Sequence, residues 1–188
     1  MHIRKNDANP AKSIILKQYN SDFGIAKPPF SVEEQTAKVF KPKTNERLDF
    51  DSTETLSYTV EDEGLYHFQH SEDSKSGPTL FNFQANFPAV KTAENMIGPI
   101  RYISTKKEFE QLSQSENKKV AVDQFWLGLA GSTERARTLI REYYTRVESA
   151  NNYFTSYTEG WKTDRGIIYI IFGSPNVVYK NKSYENWI

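Results

Sequence analysis

The sequence contains no cysteine. Disulfide frameworks, zinc–thiolate sites and cysteine nucleophiles are thereby excluded, while the redox compartment stays open. Net charge is missing too: 24 Lys and Arg balance 24 Asp and Glu. A general nucleic-acid binder is basic, so nucleic acid is not an expected partner. Long apolar runs are also absent. The longest wholly apolar run is Ile167–Phe172, against the roughly 20 residues that a membrane-spanning helix needs. The chain as given is therefore not expected to span a membrane. Its start, MHIRKNDANP, lacks the apolar core of a signal peptide. Either the protein is not exported, or the chain is a trimmed piece of an exported one whose anchor would lie before Met1. Phosphate-loop and dinucleotide glycine patterns do not occur, and Ser174 in FGSPN lacks the second glycine of a nucleophile elbow. No cofactor is called for.

Aromatics, in contrast, make up 14% of the 188 residues. Disordered chains are poor in them, so the bulk of this one should fold. Residues 1–11 are polar and read as a flexible segment. Residues 12–90 have β texture: SIILKQY, TAKVF, TLSYTV, LYHFQ and TLFNFQANF are short, β-branched or aromatic, and separated by breaks such as KPP and SEDSKSGP. Asp62–Tyr66, DEGLY, resembles the tyrosine corner of immunoglobulin-like sandwiches, in which the Tyr hydroxyl bonds back to upstream backbone. The position two residues on is Phe68 rather than Cys, which points to a disulfide-free immunoglobulin-like β-sandwich.

From about residue 104 the texture is helical. Thr105 and Glu108 stand at capping-box spacing, Gly131 ends one helix, and Ser132 or Thr133 starts the longest, with its apolar stripe at Ala136, Leu139/Ile140, Tyr143, Val147, Ala150 and Phe154. Glu142 and Arg146 are at i,i+4 spacing. Ile167–Phe172, apolar at every position, reads as a strand buried on both faces. GSPN then turns the chain, and VVY at 177–179 reads as a second strand paired with the first.

Two local readings concern function. The knot Gly160–Arg165 has a catalytic reading, with Asp164 as acid/base and Arg165 as anion holder, and a binding reading, with Trp161 as stacking platform beside Thr163. The same residues also read, and read better, as a structural corner: Gly160 for backbone freedom, Trp161 as a plug, and Thr163 and Asp164 as turn caps. On the long helix, Arg135, Arg137, Arg141 and Arg146 interleave with Tyr143, Tyr144 and Tyr153 as either a ligand face or a solvated one. His67 and His70 face opposite sides of a strand and cannot share a metal ion, so no metal site is expected.

These stretches resemble one family. Gly160, Trp161, Lys162, Thr163 and Asp164 spell the signature of the GWxTD domain, and the resemblance runs over residues 99–188. It includes PIRYISTKKEFEQL, the R-V-x-x-A-N of Arg146, Val147, Ala150 and Asn151, and the E-x-W of Glu185 and Trp187. ILKQYNSDFGIAKPPFS at 15–31 resembles the β region that precedes this domain in Bacteroidetes relatives. The resemblance implies a bacterial cell-envelope setting, periplasmic or extracellular, and assigns no activity. It also implies that the chain is truncated after Ile188. The expected architecture is thus α+β: an immunoglobulin-like β-sandwich over 12–90, then a helical and short-sheet GWxTD module over 99–188. The expected function is a non-catalytic envelope module binding an unknown protein or cell-surface polymer, with Trp161, Thr163, Arg146 and Asn151 as candidate contacts. A hydrolase of cell-surface material, with Asp164 and Arg165 at its site, is the alternative.

Overall fold

A computed structural model describes residues 2–4, 12–20, 24–26 and 40–188. The fold is mixed α+β, and the chain divides into two compact units. The first comprises Met1–Phe23 with Val32–Ala85, and the second Gly24–Ser31 with Asn86–Ile188. KPP and all of TAKVF except Phe40 lie outside the described residues.

In the first unit, β2 (Ser13–Tyr19), β3 (Thr44–Asp49), β5 (Gly64–Gln69) and β6 (Thr79–Asn82) form an antiparallel sheet in the order β3-β2-β5-β6. β1 (His2–Arg4), from the segment read as flexible, pairs with β4 (Thr55–Ser57) in a second, two-stranded sheet. Alternation along β2 buries Ile14, Leu16 and Gln18. Register places Leu16 opposite Phe68 and Gln18 opposite Tyr66. Leu56 of β4 completes this core, so both sheets contribute to it. Tyr66 makes the expected corner bond: its hydroxyl donates to the Asp62 carbonyl at 2.8 Å and accepts from Gln18 Nε2 at 3.1 Å. Gly64 sits at φ 150°, where a Cβ would lie 2.4 Å from the Tyr19 carbonyl oxygen. β3 has no apolar alternation to announce it. It is a charged edge strand exposed at all positions but the half-buried Leu48, a composition that discourages further strand pairing.

The second unit contains α1 (Ala93–Ile100), α2 (Lys106–Gln114), α3 (Lys118–Ala130), α4 (Thr133–Phe154), a 3-10 turn at Gly160–Lys162, α5 (Asp164–Phe172), and a hairpin of β7 (Val178–Lys180) and β8 (Glu185–Trp187). Thr92, Thr105, Asn117, Ser132 and Thr163 each cap a helix by accepting a bond from a first-turn amide. The Thr105–Glu108 capping box is complete, and Gly131 ends α3 at φ 74°. Trp126, Tyr144, Val147, Ala150, Trp161 and Ile170 are among the buried residues of the core, with Ile97 and Ile100 of α1 beneath them.

The expected strand at 167–172 is instead the body of α5. A run of six apolar residues has no periodicity to read, so its surroundings decide its conformation. Thr163 caps its start, and from α4 the Arg146 Nη1 donates to the carbonyls of Ile170 and Ile171 at 3.2 and 3.3 Å. Helical spacing then buries Gly166 and Ile170 and leaves Ile171 and Phe172 exposed. Two-sided burial is not needed. The hairpin partner of β7 is β8, with Val178 opposite Trp187 and Lys180 opposite Glu185.

Candidate functional site

The signature knot is a corner built from mutual hydrogen bonds. Asn151, on the last turn of α4 and 3% exposed, accepts from the Trp161 amide at 3.1 Å and donates to the Pro88 carbonyl at 3.0 Å. Thr155 Oγ1 donates to the Asn151 carbonyl and accepts from the Gly160 amide at 2.9 Å. Thr163 Oγ1 donates to the Gly160 carbonyl at 2.7 Å and accepts from the Gly166 amide at 3.0 Å. The Trp161 ring is buried against α1, where a Cβ on Gly98 would come within 2.9 Å of it. Its carbonyl accepts from the Tyr102 hydroxyl at 2.8 Å. Lys162 lies over that indole, pairs with Glu159 at 2.9 Å, and accepts at its carbonyl from the Ala26 amide. Trp161, Thr163 and Asn151 are thus occupied inside the fold, and Arg146 is occupied at the end of α5. Tyr143 and Tyr144 also turn inward, so the arginines and tyrosines of α4 do not form one surface. Among the described residues no group of three His, Asp or Glu side chains could hold a metal ion.

The two remaining candidates sit at the outer edge of the corner. Asp164 is exposed in the first turn of α5, where its charge favours the helix, and it accepts from the Arg165 amide at 2.7 Å. Arg165 reaches the hairpin. Its Nε pairs with Glu185 Oε2 at 2.9 Å, while Lys180 Nζ pairs with Glu185 Oε1 at 2.7 Å. The hydrogen bond from Lys180, joined by the charge of Arg165, holds the Glu185 carboxyl below its usual range despite some desolvation. The second carboxylate of the region is therefore kept ionised. It can accept hydrogen bonds but is poorly placed to supply a proton.

This three-charge clamp closes one side of a shallow groove of about 490 Å³. Tyr153 and Phe154 come from the end of α4, Arg165 and Tyr169 from one face of α5, and Val178, Lys180, Glu185 and Trp187 from the hairpin, with Ser174 and Pro175 between them. Helical i,i+4 spacing aligns Arg165 with Tyr169. Period-two alternation sets Val178 with Lys180 and Glu185 with Trp187. The rings lean on one another: Phe154 is 5.6 Å from Trp187 and 5.7 Å from Tyr169, and Tyr153 is 5.9 Å from Tyr169. Tyr153 is 68% exposed. A second depression of about 610 Å³, near the starts of α1 and α3, is lined by Lys91, Glu94, Lys118, Lys119 and Asp123 among others. Lys119 and Asp123 there form an exposed i,i+4 pair, the pattern of a solvated helix face.

Of the residues singled out from the sequence, Arg165 of the knot and Tyr153 of the long helix line the aromatic groove. Glu185 and Trp187 stood in the E-x-W motif, whose i,i+2 spacing on a strand puts both on one face. Nothing in the sequence ties them to Tyr153 and Tyr169, which come from elements that fold onto the hairpin.

The clamp responds to acid. Because the folded-state pKa of Glu185 is depressed, its contribution to stability is present above its ordinary pKa of 4.5 and is lost as pH falls through the lower folded value. An acid titration followed by the Trp187 indole NMR signal should show a local transition below pH 4.5, absent in Glu185→Gln. A Trp187 signal that is flat with pH while the helices remain folded would refute the clamp.

These features define a two-unit α+β protein whose second unit carries a hydrogen-bonded tryptophan corner beside an aromatic groove. The chain belongs to the GWxTD domain family: the family model matches residues 64–188, from the head of β5 through β8. No curated protein and no solved structure matches the chain.

Proposed function

We propose that this protein is a non-catalytic cell-envelope module that binds a protein or polymer partner in the groove walled by Tyr153, Tyr169, Trp187 and the Arg165–Glu185–Lys180 clamp. The observation that carries this reading is the groove itself: exposed aromatic surface next to a few fixed polar groups is the usual make-up of a ligand site. The signature residues support it indirectly, because their polar groups are spent on one another and on α4 rather than left for chemistry. The hydrolase alternative takes Asp164 as its acid, and Asp164 is exposed in the first turn of α5 with its carboxylate accepting from the Arg165 amide; the neighbouring carboxylate, Glu185, is paired with two cations. The envelope setting, periplasmic or extracellular, rests on the family resemblance. An immunoglobulin-like form for the first unit is supported by the Tyr66–Asp62 corner bond and by two sheets sharing a core.

The test is retention of the full chain on insoluble peptidoglycan and on immobilised cell-surface polysaccharide or protein. The parent should be retained and Tyr153→Ala, altered at an exposed ring, should pass through. Equal behaviour of the two proteins would overturn the groove reading, and release of new reducing ends or peptides during retention would favour the hydrolase.

A further inference from the structure

We infer that the groove takes an acidic saccharide, with a sugar ring against the aromatic wall and its carboxylate on Arg165; this rests on the groove being the binding surface. The charge balance comes first. Arg165, Lys180 and Glu185 are the charged residues lining the groove, and they leave one net positive charge facing it. Arg165 spends its Nε on Glu185. Its Nη end, on a side chain that is 51% exposed, remains available as a two-pronged donor of the geometry that fits a carboxylate. Lys180 spends one bond on Glu185 and retains further N–H donors.

The ring surfaces come second. A pyranose has one face of C–H bonds and a rim of hydroxyls. The C–H face suits the negative face of an aromatic ring, and Tyr153 offers such a ring at 68% exposure next to Tyr169. The rim needs acceptors as well as donors. Glu185, fixed as a carboxylate, supplies acceptor lone pairs beside the Lys180 and Arg165 donors. The volume of about 490 Å³ lies within the range of small-ligand pockets. An extended acidic peptide is the weaker fit, because peptides recognised as strands pair with backbone, and this groove is walled by side chains.

Titration calorimetry of the full chain against trigalacturonate, its methyl ester and a hexaglutamate peptide tests this. The acid should bind at least tenfold more tightly than its uncharged ester, and binding should weaken several-fold between low and moderate salt. Tyr153→Ala should weaken it at least tenfold without touching the clamp. Arg165→Lys keeps a cation for Glu185 but loses the fork, and should erase most of the preference for acid over ester. Equal binding of acid and ester, or an Arg165→Lys protein that keeps the preference, overturns the inference. Preference for hexaglutamate also overturns it and leaves the groove reading standing. Absence of binding by all three probes overturns it as well. The groove reading then stands or falls separately, on whether Tyr153→Ala alters polymer or protein retention.

Discussion

Gly160→Ala should unfold the second unit. A Cβ at this position would lie 1.9 Å from the carbonyl oxygen of Ala150, 2.6 Å from its carbon and 2.8 Å from the Cα of Asn151. All three are backbone atoms inside α4, so no side chain can swing aside. Moving the 3-10 turn outward is no easier. The turn is tied to α4 through Thr155 and Asn151, and its displacement would pull the Trp161 ring from its seat on Gly98. The expected loss exceeds about 4 kcal/mol, the range reserved for disrupted buried networks and cores. Trp126, Trp161 and Trp187, the chain's three tryptophans, all lie in the second unit, so urea unfolding followed by their fluorescence reports on that unit alone. Gly128→Ala is the control. A Cβ there meets nothing within 4 Å, and alanine should strengthen α3 by about 0.5–1 kcal/mol. A Gly160→Ala protein within about 1 kcal/mol of the parent would show that the corner is not built as described.

That packing explains which parts of the fold were legible. Helix ends announce themselves locally, so Thr105, Gly131 and Ser132 could be read from their own neighbours. The DEGLY corner was legible for the same reason: its bond spans four residues. α1 was hidden because its sequence, AENMIGPI, carries Gly98 and Pro99, which read as breakers. Gly98 is there to admit the Trp161 ring, 63 positions later, and Pro99 falls in the last turn of an eight-residue helix. α5 reads as a strand in the sequence because what makes it a helix is partly remote. Arg146 donates to its final carbonyls from 24 and 25 residues away.

The site divides in the same way. Gly160, Trp161 and Thr163 of the signature each meet a partner within a few ångströms, and the sequence already allowed a structural corner beside the catalytic reading. The groove was not legible, since its walls come from α4, α5 and a hairpin whose register with them is set by folding. Arg165 links the two descriptions: it follows the signature in sequence and belongs to the groove in space.

Alkali should unfold the second unit steeply, through three tyrosines. Tyr102, Tyr143 and Tyr144 donate to the carbonyls of Trp161, Pro99 and Met96 at 2.8, 2.7 and 2.9 Å. Each hydroxyl thus holds α1 or the signature turn in place, and burial raises each pKa well above 10.0. The sign follows from linkage. Below pH 10.0 both states keep these protons, and the bonds contribute in full. Above it the unfolded chain releases them and the folded one does not, so stability falls as pH rises towards the folded values. With three protons retained, the slope approaches about 4 kcal/mol per pH unit. Urea midpoints from tryptophan fluorescence should therefore hardly move between pH 7 and 9 and drop sharply from about pH 10.5. Tyr143→Phe separates this from general alkaline damage. Losing its hydroxyl costs about 1 kcal/mol at neutral pH, yet one titrating group is gone, so the alkaline slope should fall by about a third. An unchanged slope in that variant would place the alkaline transition elsewhere and remove the tyrosines from it.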